Sequence, residues 1–459
     1  MKCTRPPGRS WRQKTAPHFT ICPTKYALPM AKVLDRRMAP PAGPLSYIPL
    51  PPYEVTRLSN GTPVYLLPYG QVEVVEVQAM YRAGRGYQDL IGQAGLTGEM
   101  LTEGTQSYDS LRLAQQLDGY GAWIHHEVGE ESLAVKLATT TANLGHTLPL
   151  LQEVILVPTF PSEEFESLKQ RKLQKIQVRE EKTATLARKH FGYELFGPDH
   201  PYGSYLSQEA LEAISRDHLI AYHQQRLQQM ALTVVGRFDR EVILDQLEEL
   251  FGSLDRVEEE ASISRAATAR ARGRQGRHYV EKAGMQASLR LGHLAMPRAH
   301  PDYYGMTIVN TILGGYFGSR LMKNIREEKG YTYGIYSGWI GNRYDGYFVV
   351  QSDVGNEYVP SAIAEVKAEM HKLMDEGVEE AELDLVRNYL QGRSVSQRET
   401  PFQMSDLLRF SLMHDIPFAE LDRQYEVIRE ITPASVQELA ARYLKPDDLL
   451  EVVVGQVAE

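Results

Sequence analysis

The sequence predicts an α+β protein made of two homologous repeats, each a mostly antiparallel sheet covered by helices. At 459 residues the chain is too long for one ordinary hydrophobic core. Short alternating apolar runs, which indicate strands, are interleaved with charged amphipathic runs, which indicate helices. Both halves also close on a helix, an Arg-containing turn and a strand reading VVG, which ends at Gly236 and Gly455. The spacing indicates a duplicated unit of about 215 residues.

The repeats divide the chain into four segments. Residues 1–53 are expected to be a disordered or extended lead, because residues 39–53 are rich in proline. Residues 54–256 form the N-terminal repeat, and residues 278–459 form the C-terminal repeat. The segment 257–277 has no apolar period and is interpreted as a solvated linker.

In the N-terminal repeat, Asn60-Gly61 favours a hairpin turn between the first two strands. Helices are expected from Ile91, at Ser110–Leu117, within 161–196 and at Ser207–Arg226. The expected strands are Val55–Leu58, Pro63–Leu67, Val72–Tyr81, Trp123–Val128, Ser132–Ala138 and Ala231–Gly236.

The C-terminal repeat shows the same alternation of strand and helix patterns. A loop is expected at Gly314–Ser319, between a helix at Asp302–Leu313 and a hairpin. The expected strands are Gln286–Ala295, Tyr333–Ile340, Gly346–Ser352 and Leu449–Gly455, with a last helix from Ala434.

Composition limits the classes of function. An apolar share of 42% with 24% charged residues is typical of a globular protein, and no apolar run reaches the 18 or so residues of a membrane span. The net charge of -9 argues against nucleic acid as a partner, because binding to phosphates requires a basic face. We expect no membrane partner either.

The first 29 residues are basic, contain no acidic residue and hold both cysteines, Cys3 and Cys22. No continuous apolar core follows the basic residues, which argues against an export signal. A disordered tail, or a true start at Met30, is the preferred interpretation. Because the rest of the chain has no cysteine, the sequence indicates a reducing compartment and a cytoplasmic location.

The segment Ile91–Thr105, IGQAGLTGEMLTEGT, resembles the zinc-binding helix of the pitrilysin/insulinase family, which reads roughly GxAHFLEHMLFKGT. Gly95, Gly98 and Glu99 stand where that pattern has His, Glu and His. In the inverted HxxEH motif the two imidazoles hold zinc and the Glu activates its water. Glycine offers no ligand atom, so Glu99 alone remains.

The family's third ligand, a Glu on a later helix, aligns with Gln174 and Lys175. An ammonium repels a metal cation, and a catalytic zinc needs about three protein ligands. The resemblance therefore implies a degenerate metal site with no zinc on this chain. It also suggests the hypothesis that the Lys175 ammonium replaces the metal as the partner of Glu99.

The segment Asn310–Ser337, NTILGGYFGSRLMKNIREEKGYTYGIYS, is similar to the C-terminal signature of the same family. That signature has LGG and SRL followed by an Arg and, seven residues later, a Tyr, here Arg326 and Tyr333. The resemblance implies that this pair binds the backbone of the peptide substrate and the developing oxyanion. Without the surrounding frame, Arg326 would be interpreted as a surface ion-pair residue and Tyr333 as a strand aromatic.

Two other groups contain the residue types that bind metals. His125, His126 and Glu127 are adjacent in an expected strand, so at most His125 and Glu127 share a face. His190 and Glu194 stand one helical turn apart, a spacing equally common in surface pairs. His200, in an HPYG turn, is not expected to be a ligand, and Asp302 is expected to begin a helix.

Many bacterial members of this family are two-chain peptidases in which one chain holds zinc and the other supplies the Arg/Tyr pair. The resemblance implies that this chain is the second kind, one part of a peptidase clamshell that opens to admit an unfolded peptide. It would be inactive alone, and zinc is expected on the homologous partner. The alternative is a purely structural family member, comparable to the core subunits of respiratory complexes.

Overall fold

The computed structural model of the chain describes residues 47–255 and 263–456. Cys3, Cys22 and Met30 lie outside the described residues, together with the whole basic leader. The beginning of the expected linker lies outside them as well.

The described ranges contain eleven strands, which form two separate sheets. The first sheet holds β1 (Glu54–Arg57), β2 (Pro63–Pro68), β3 (Val74–Tyr81), β4 (Trp123–Val128), β5 (Leu133–Thr140) and β6 (Met230–Gly236). The second holds β7 (Gly276–Glu281), β8 (Gln286–Ala295), β9 (Thr332–Gly341), β10 (Gly346–Gly355) and β11 (Leu450–Gly455).

The two sheets have the same topology. Their strand orders are β1-β2-β6-β3-β5-β4 and β7-β11-β8-β10-β9. In each sheet the last strand of the half pairs in parallel with an early strand, β6 with β2 and β11 with β7, while the other pairs are antiparallel. The predicted fold class, two mostly antiparallel α+β repeats, is confirmed.

Fifteen helices cover these sheets in the described part of the chain. Those before the linker are α1 (Gln93–Met100), α2 (Ser110–Gly119), α3 (Leu144–Leu156), α4 (Ser162–Glu180), α5 (Thr183–Phe196), α6 (Gln208–Glu212), α7 (Arg216–Arg226) and α8 (Arg240–Phe251). The others are α9 (Arg265–Thr268), α10 (Tyr303–Asn310), α11 (Val359–Asp375), α12 (Glu380–Ser396), α13 (Pro401–Met413), α14 (Glu420–Glu430) and α15 (Pro433–Tyr443).

The helix expected over Ser207–Arg226 is two helices, α6 and α7. The interruption has a local cause, because Ser215 begins a new helix with a capping box. Its hydroxyl accepts from the backbone N–H of His218, and the His218 ring accepts from the backbone N–H of Ser215.

The described part of the expected linker, residues 263–275, is mostly exposed but makes several contacts with the N-terminal half. Ser264 is completely buried, and the Arg265 guanidinium donates to the backbone carbonyl of Gln88 at 3.1 Å. The backbone N–H of Gly273 donates to the carbonyl of Leu195 at 2.8 Å. This stretch is bound to the N-terminal half, and β7 begins immediately after it.

Helix α5 belongs to the N-terminal half by sequence but packs on the second sheet. Ala187, Phe191 and Leu195 recur every four residues and form one apolar stripe. The stripe lies in a buried cluster with Val349 of β10 and Val452 of β11. The face of the second sheet that its own helices leave open is therefore covered by a helix of the other half.

Helix α13 makes the reciprocal contact on the first sheet. Met404 and Leu408, both completely buried, pack with Leu67 of β2 and Val235 of β6. The helix begins at a capping box formed by Thr400 and Gln403, with proline at its first position.

A buried polar group accompanies the α13 contact. The Gln78 amide of β3 donates to the Ser405 hydroxyl at 2.7 Å, and the Lys136 ammonium of β5 binds the Asp406 carboxylate. These polar contacts supplement the apolar packing at the junction.

Among the described residues, none of the helices combines the length and the apolar composition needed to cross a membrane.

The exchange of α5 and α13 predicts that the two halves unfold as one unit. Phe191→Ala removes a buried ring from the contact between α5 and the second sheet, and should lower the free energy of unfolding by about 3–5 kcal/mol. Val178→Ala, at an exposed position of α4, is the control and should change it by less than about 0.5 kcal/mol. Chemical denaturation followed by fluorescence and circular dichroism should show one shifted transition. Two separate transitions would contradict the coupling of the halves.

Candidate functional site

The degenerate metal site lies on α1, which packs against β4, β5 and α7. Gly95 faces open space, because a Cβ added there would find no heavy atom within 4 Å. At Gly98 a Cβ would lie 2.9 Å from the imidazole ring of His126, a distance too short for ordinary contact. The His126 ring, from β4, therefore occupies the space that a side chain at position 98 would need.

Glu99, the remaining acidic residue of α1, forms an ion pair with a lysine of α4. The ammonium of Lys172 lies 2.6 Å from the Glu99 carboxylate. The hypothesis assigned this contact to Lys175, one helical turn later. A cation does face Glu99, but it belongs to Lys172, since the described residues show no ion pair between Glu99 and Lys175.

His126 lies in the same region, but it does not add a third charge to those of Glu99 and Lys172. Burial lowers its pKa, although the nearby Glu99 carboxylate opposes that shift. The ring is therefore neutral at pH 7, and it does not repel the Lys172 ammonium.

The other histidine and carboxylate groups that were considered as ligands serve structural contacts. The Glu127 carboxylate binds the Lys136 ammonium at 2.6 Å and the Arg409 guanidinium at 2.6 Å. The Glu194 carboxylate binds Arg274 at 2.5 Å, and the Nδ1 atom of His190 lies 3.2 Å from a ring nitrogen of His278. The contacts of Glu127 with Arg409 and of His190 with His278 join the two halves.

The residues at the zinc position do not fit a zinc ion. Of the aligned ligand positions, Gly95 offers no ligand atom, Glu99 is neutralised by Lys172, and the third falls on Gln174 or Lys175. The His126 ring occupies the space at Gly98, where the family has its catalytic Glu. Across residues 47–255 and 263–456, no three His, Cys, Asp or Glu side chains lie close enough together to hold a metal.

Arg326 lies in a π-helical segment, Met322–Glu328, which packs against β9 and α11. Such segments are found frequently at functional sites. The guanidinium carbon lies 4.6 Å from the centre of the Phe317 ring, and the nearest carboxylate contact is to Glu327 at 3.9 Å. Arg326 therefore stacks on an aromatic face and makes only a long ion pair.

Tyr333 projects into solvent at the beginning of β9, with 92% of its surface exposed. The pairing of β9 with β10 is irregular at this point, because the register shifts between Ser352 and Val354. An irregularity of this kind changes the direction of a side chain, and it is common next to functional sites.

Two buried hydroxyl groups hold the irregular part of β9. The Ser352 hydroxyl donates to the carbonyl of Gly334 at 2.9 Å. The Thr332 hydroxyl donates to the carbonyl of Asp353 at 2.7 Å and accepts from the N–H of Gly334 at 3.1 Å. These bonds fix the backbone on which Tyr333 stands.

The other residues of the signature around Arg326 have structural tasks. A Cβ at Gly314 would lie 2.8 Å from the backbone nitrogen of Ser337, so glycine allows the close approach of the helix end to β9. Arg320 forms a two-pronged ion pair with Glu382, at 2.8 and 3.0 Å. Gly330 has a positive φ of 68°, which glycine adopts without strain.

His200 and Asp302 also have structural tasks. His200 is buried, and its Nε2 atom lies 3.3 Å from the carboxylate of Asp345 in the turn between β9 and β10. Asp302 precedes α10 and accepts from the Tyr443 hydroxyl at 2.5 Å. Neither group is a ligand.

Sequence reasoning missed Phe317, Lys172 and Thr332. Phe317 is only one letter of the signature in the sequence, and its stacking on Arg326 depends on how the loop is folded.

The degenerate site and the Arg326/Tyr333 pair belong to different halves, and the elements that carry them pack within their own halves.

Comparison with known proteins finds similar sequences. Residues 213–390 match the family model described as the Peptidase M16 inactive domain. An uncharacterized zinc protease of Rickettsia bellii is 23% identical over 88% of this chain and 92% of its own length.

Solved structures show the same fold. A peptidase M16 inactive domain from Pseudomonas fluorescens is 24% identical, with a TM-score of 0.78 over 88% of this chain and 98% of that one. A chain of Complex III2 from Candida albicans is 16% identical, with a TM-score of 0.71 over 88% of this chain and 95% of that one. These matches support the pitrilysin/insulinase family for this chain, with the family's inactive type of domain at residues 213–390.

Proposed function

We propose that this protein is the non-catalytic subunit of a two-chain metalloendopeptidase and binds peptide substrate for a homologous zinc-bearing subunit. Three findings support the proposal: similarity to the family, a metal position that does not fit zinc, and an Arg/Tyr pair that the fold of this chain does not use.

The exposure of Tyr333 is the observation that carries the proposal. A tyrosine with 92% of its surface exposed adds nothing to the core, yet buried hydroxyls of Thr332 and Ser352 hold the backbone that presents it. Its phenol and the guanidinium of Arg326 are hydrogen-bond donors. Both can donate to a peptide carbonyl and to the negative oxygen that forms when the carbonyl is attacked.

The substrate class proposed is an unfolded peptide in extended conformation. Such a peptide binds by adding a strand to an open sheet edge. The outer edge of β9 is not open in this chain. The Asn310 amide donates to the carbonyl of Ser337 at 3.3 Å, and the Tyr303 hydroxyl donates to the carbonyl of Trp339 at 3.1 Å. The proposal therefore places strand addition on the partner, while this chain supplies side-chain donors.

A structural role without substrate is the second candidate. The observation that favours it is the similarity of fold to a chain of Complex III2. A purely structural subunit, however, has no use for a donor pair that is held out of its own core. Arg326 and Tyr333 therefore favour the substrate-binding function over the structural one.

The degenerate site has a structural role in this proposal. The Glu99–Lys172 ion pair joins α1 to α4 with a cation in place of a metal. Both side chains are partly exposed to solvent, so the pair is expected to stabilise the chain by no more than a surface ion pair does. We place the protein in the cytoplasm, because the sequence after Cys22 contains no cysteine.

The first expected outcome concerns activity. The purified chain should contain no stoichiometric zinc by elemental analysis and should not cleave fluorescently labelled unfolded casein. After addition of the zinc-bearing homologue recovered with it by pull-down, cleavage should exceed that of the homologue alone. Cleavage by this chain alone, or no gain on mixing, would contradict the proposed role.

A second expectation concerns Arg326 and Tyr333 in the mixed complex. Arg326→Ala should lower kcat about 100- to 1000-fold, which is the range for loss of one oxyanion donor. Tyr333→Phe, which removes only the hydroxyl, should lower it by about 10-fold or more. The zinc content of the partner should stay constant. Arg429→Ala and Tyr193→Phe are the matched controls at exposed positions, and they should retain full activity. Equal activity of all four variants would favour the structural candidate.

The ion pair at the degenerate site gives a third expectation. Lys172→Met and Glu99→Gln should each destabilise the chain by about 0.2–1 kcal/mol, and a double-mutant cycle should show that the two effects are coupled. Lys175→Met is the matched control on the same helix, and it should show no coupling to Glu99. Neither EDTA nor added zinc should change Tm. A rise of several degrees with zinc would show that the site still binds a metal.

A further inference from the structure

Phe317 is an exposed aromatic residue with no place in a core. It has 60% of its surface exposed and lies in the loop that connects the LGG and SRL segments. An exposed phenylalanine is not unusual by itself. Its contact is informative, because the ring lies against the guanidinium of Arg326 at 4.6 Å.

The loop is folded so that Phe317 and its neighbour point in different directions. The Tyr316 ring packs against Tyr389 of α12, with ring centres 5.0 Å apart. A Cβ at Gly318 would lie 2.8 Å from the Tyr316 ring, so glycine leaves that ring room in its present position. Ser319, the next residue, is buried. The loop is therefore anchored on both sides of Phe317, and the exposed ring is held by its own backbone.

Arg320 provides a comparison within the same segment. Its guanidinium donates twice to the Glu382 carboxylate and once to the carbonyl of Gly377, at 2.8 Å, so its donors are occupied. Among residues 47–255 and 263–456, Arg326 has no such partner within ordinary hydrogen-bond distance, and its contact with Glu327 is 3.9 Å long. An aromatic ring contacts the flat face of a guanidinium, while the five N–H donors lie in its plane. Stacking thus holds Arg326 without using its donors.

We infer that Phe317 is a positioning residue, whose ring holds the Arg326 guanidinium in place and leaves its N–H groups free for the substrate. The inference rests on the proposed function for its consequence in catalysis. The contact itself is a property of this chain alone. A carboxylate at the same place would fix Arg326 equally well but would occupy the donors that the substrate needs.

The contact is tested first on the isolated chain. In wild type, the Nε–H proton of Arg326 should show an upfield ring-current shift in an arginine-selective NMR spectrum, assigned by its loss in Arg326→Lys. The shift should persist in Phe317→Tyr and disappear in Phe317→Leu, which is apolar but has no ring. The ring is mostly exposed, so neither substitution should change Tm appreciably. An unchanged Arg326 signal in Phe317→Leu would overturn the inference.

The second test uses the mixed complex with the zinc-bearing homologue. Phe317→Leu should lower kcat for unfolded casein by about 3- to 30-fold, the range that loss of a cation–π contact produces. Phe317→Tyr should restore activity. In an Arg326→Ala background, Phe317→Leu should have no further effect, and Leu385→Ala, at an exposed site of α12, should have none in either background.

The outcomes separate this inference from the proposed function. A wild-type mixture without activity would contradict the proposed function, and the NMR result would still decide whether Phe317 holds Arg326. An active mixture in which Phe317→Leu is harmless, or equally harmful without Arg326, would overturn the positioning role alone.

Discussion

The reciprocal exchange of α5 and α13 is the constraint on which the rest of the structure depends. A sheet with two apolar faces must be covered on both sides, and the helices of each half cover only one face. Phe191 of α5 covers part of the open face of the second sheet, and Leu408 of α13 covers part of that of the first. The VVG strands β6 and β11 can be mostly apolar because both of their faces are buried in this way.

This arrangement explains why the metal position could change without loss of the fold. The position of α1 is fixed by its packing on the first sheet and on α7, to which buried residues such as Ala94, Leu96 and Met100 contribute. Gly95 leaves open space, Gly98 gives room to the His126 ring, and Glu99 meets Lys172. A few side chains therefore determine whether such a helix can hold zinc, and they do so almost independently of the scaffold.

In the second half, two arginines of one segment make different kinds of contact. Arg320 and Arg326 stand six residues apart, yet one is saturated by a carboxylate and the other rests on an aromatic face. Tyr333 follows the same principle, since buried hydroxyls hold the backbone and leave the phenol exposed. Rigid support beneath an unsatisfied donor is what a binding site requires.

The sequence by itself determined the two-repeat α+β fold, most strand positions, the loss of the zinc ligands and the identity of the Arg/Tyr pair. These are local features: alternation of apolar residues, ligand atoms that are present or absent, and a motif of fixed spacing. Only the tertiary structure decided that Lys172 is the lysine that meets Glu99 and that residues 263–275 contact the N-terminal half. It also decided that α5 and α13 each pack on the sheet of the other half, and that Phe317 lies against Arg326. Each of these depends on contacts between residues distant in the chain or on the path of a loop, which periodicity and spacing do not specify.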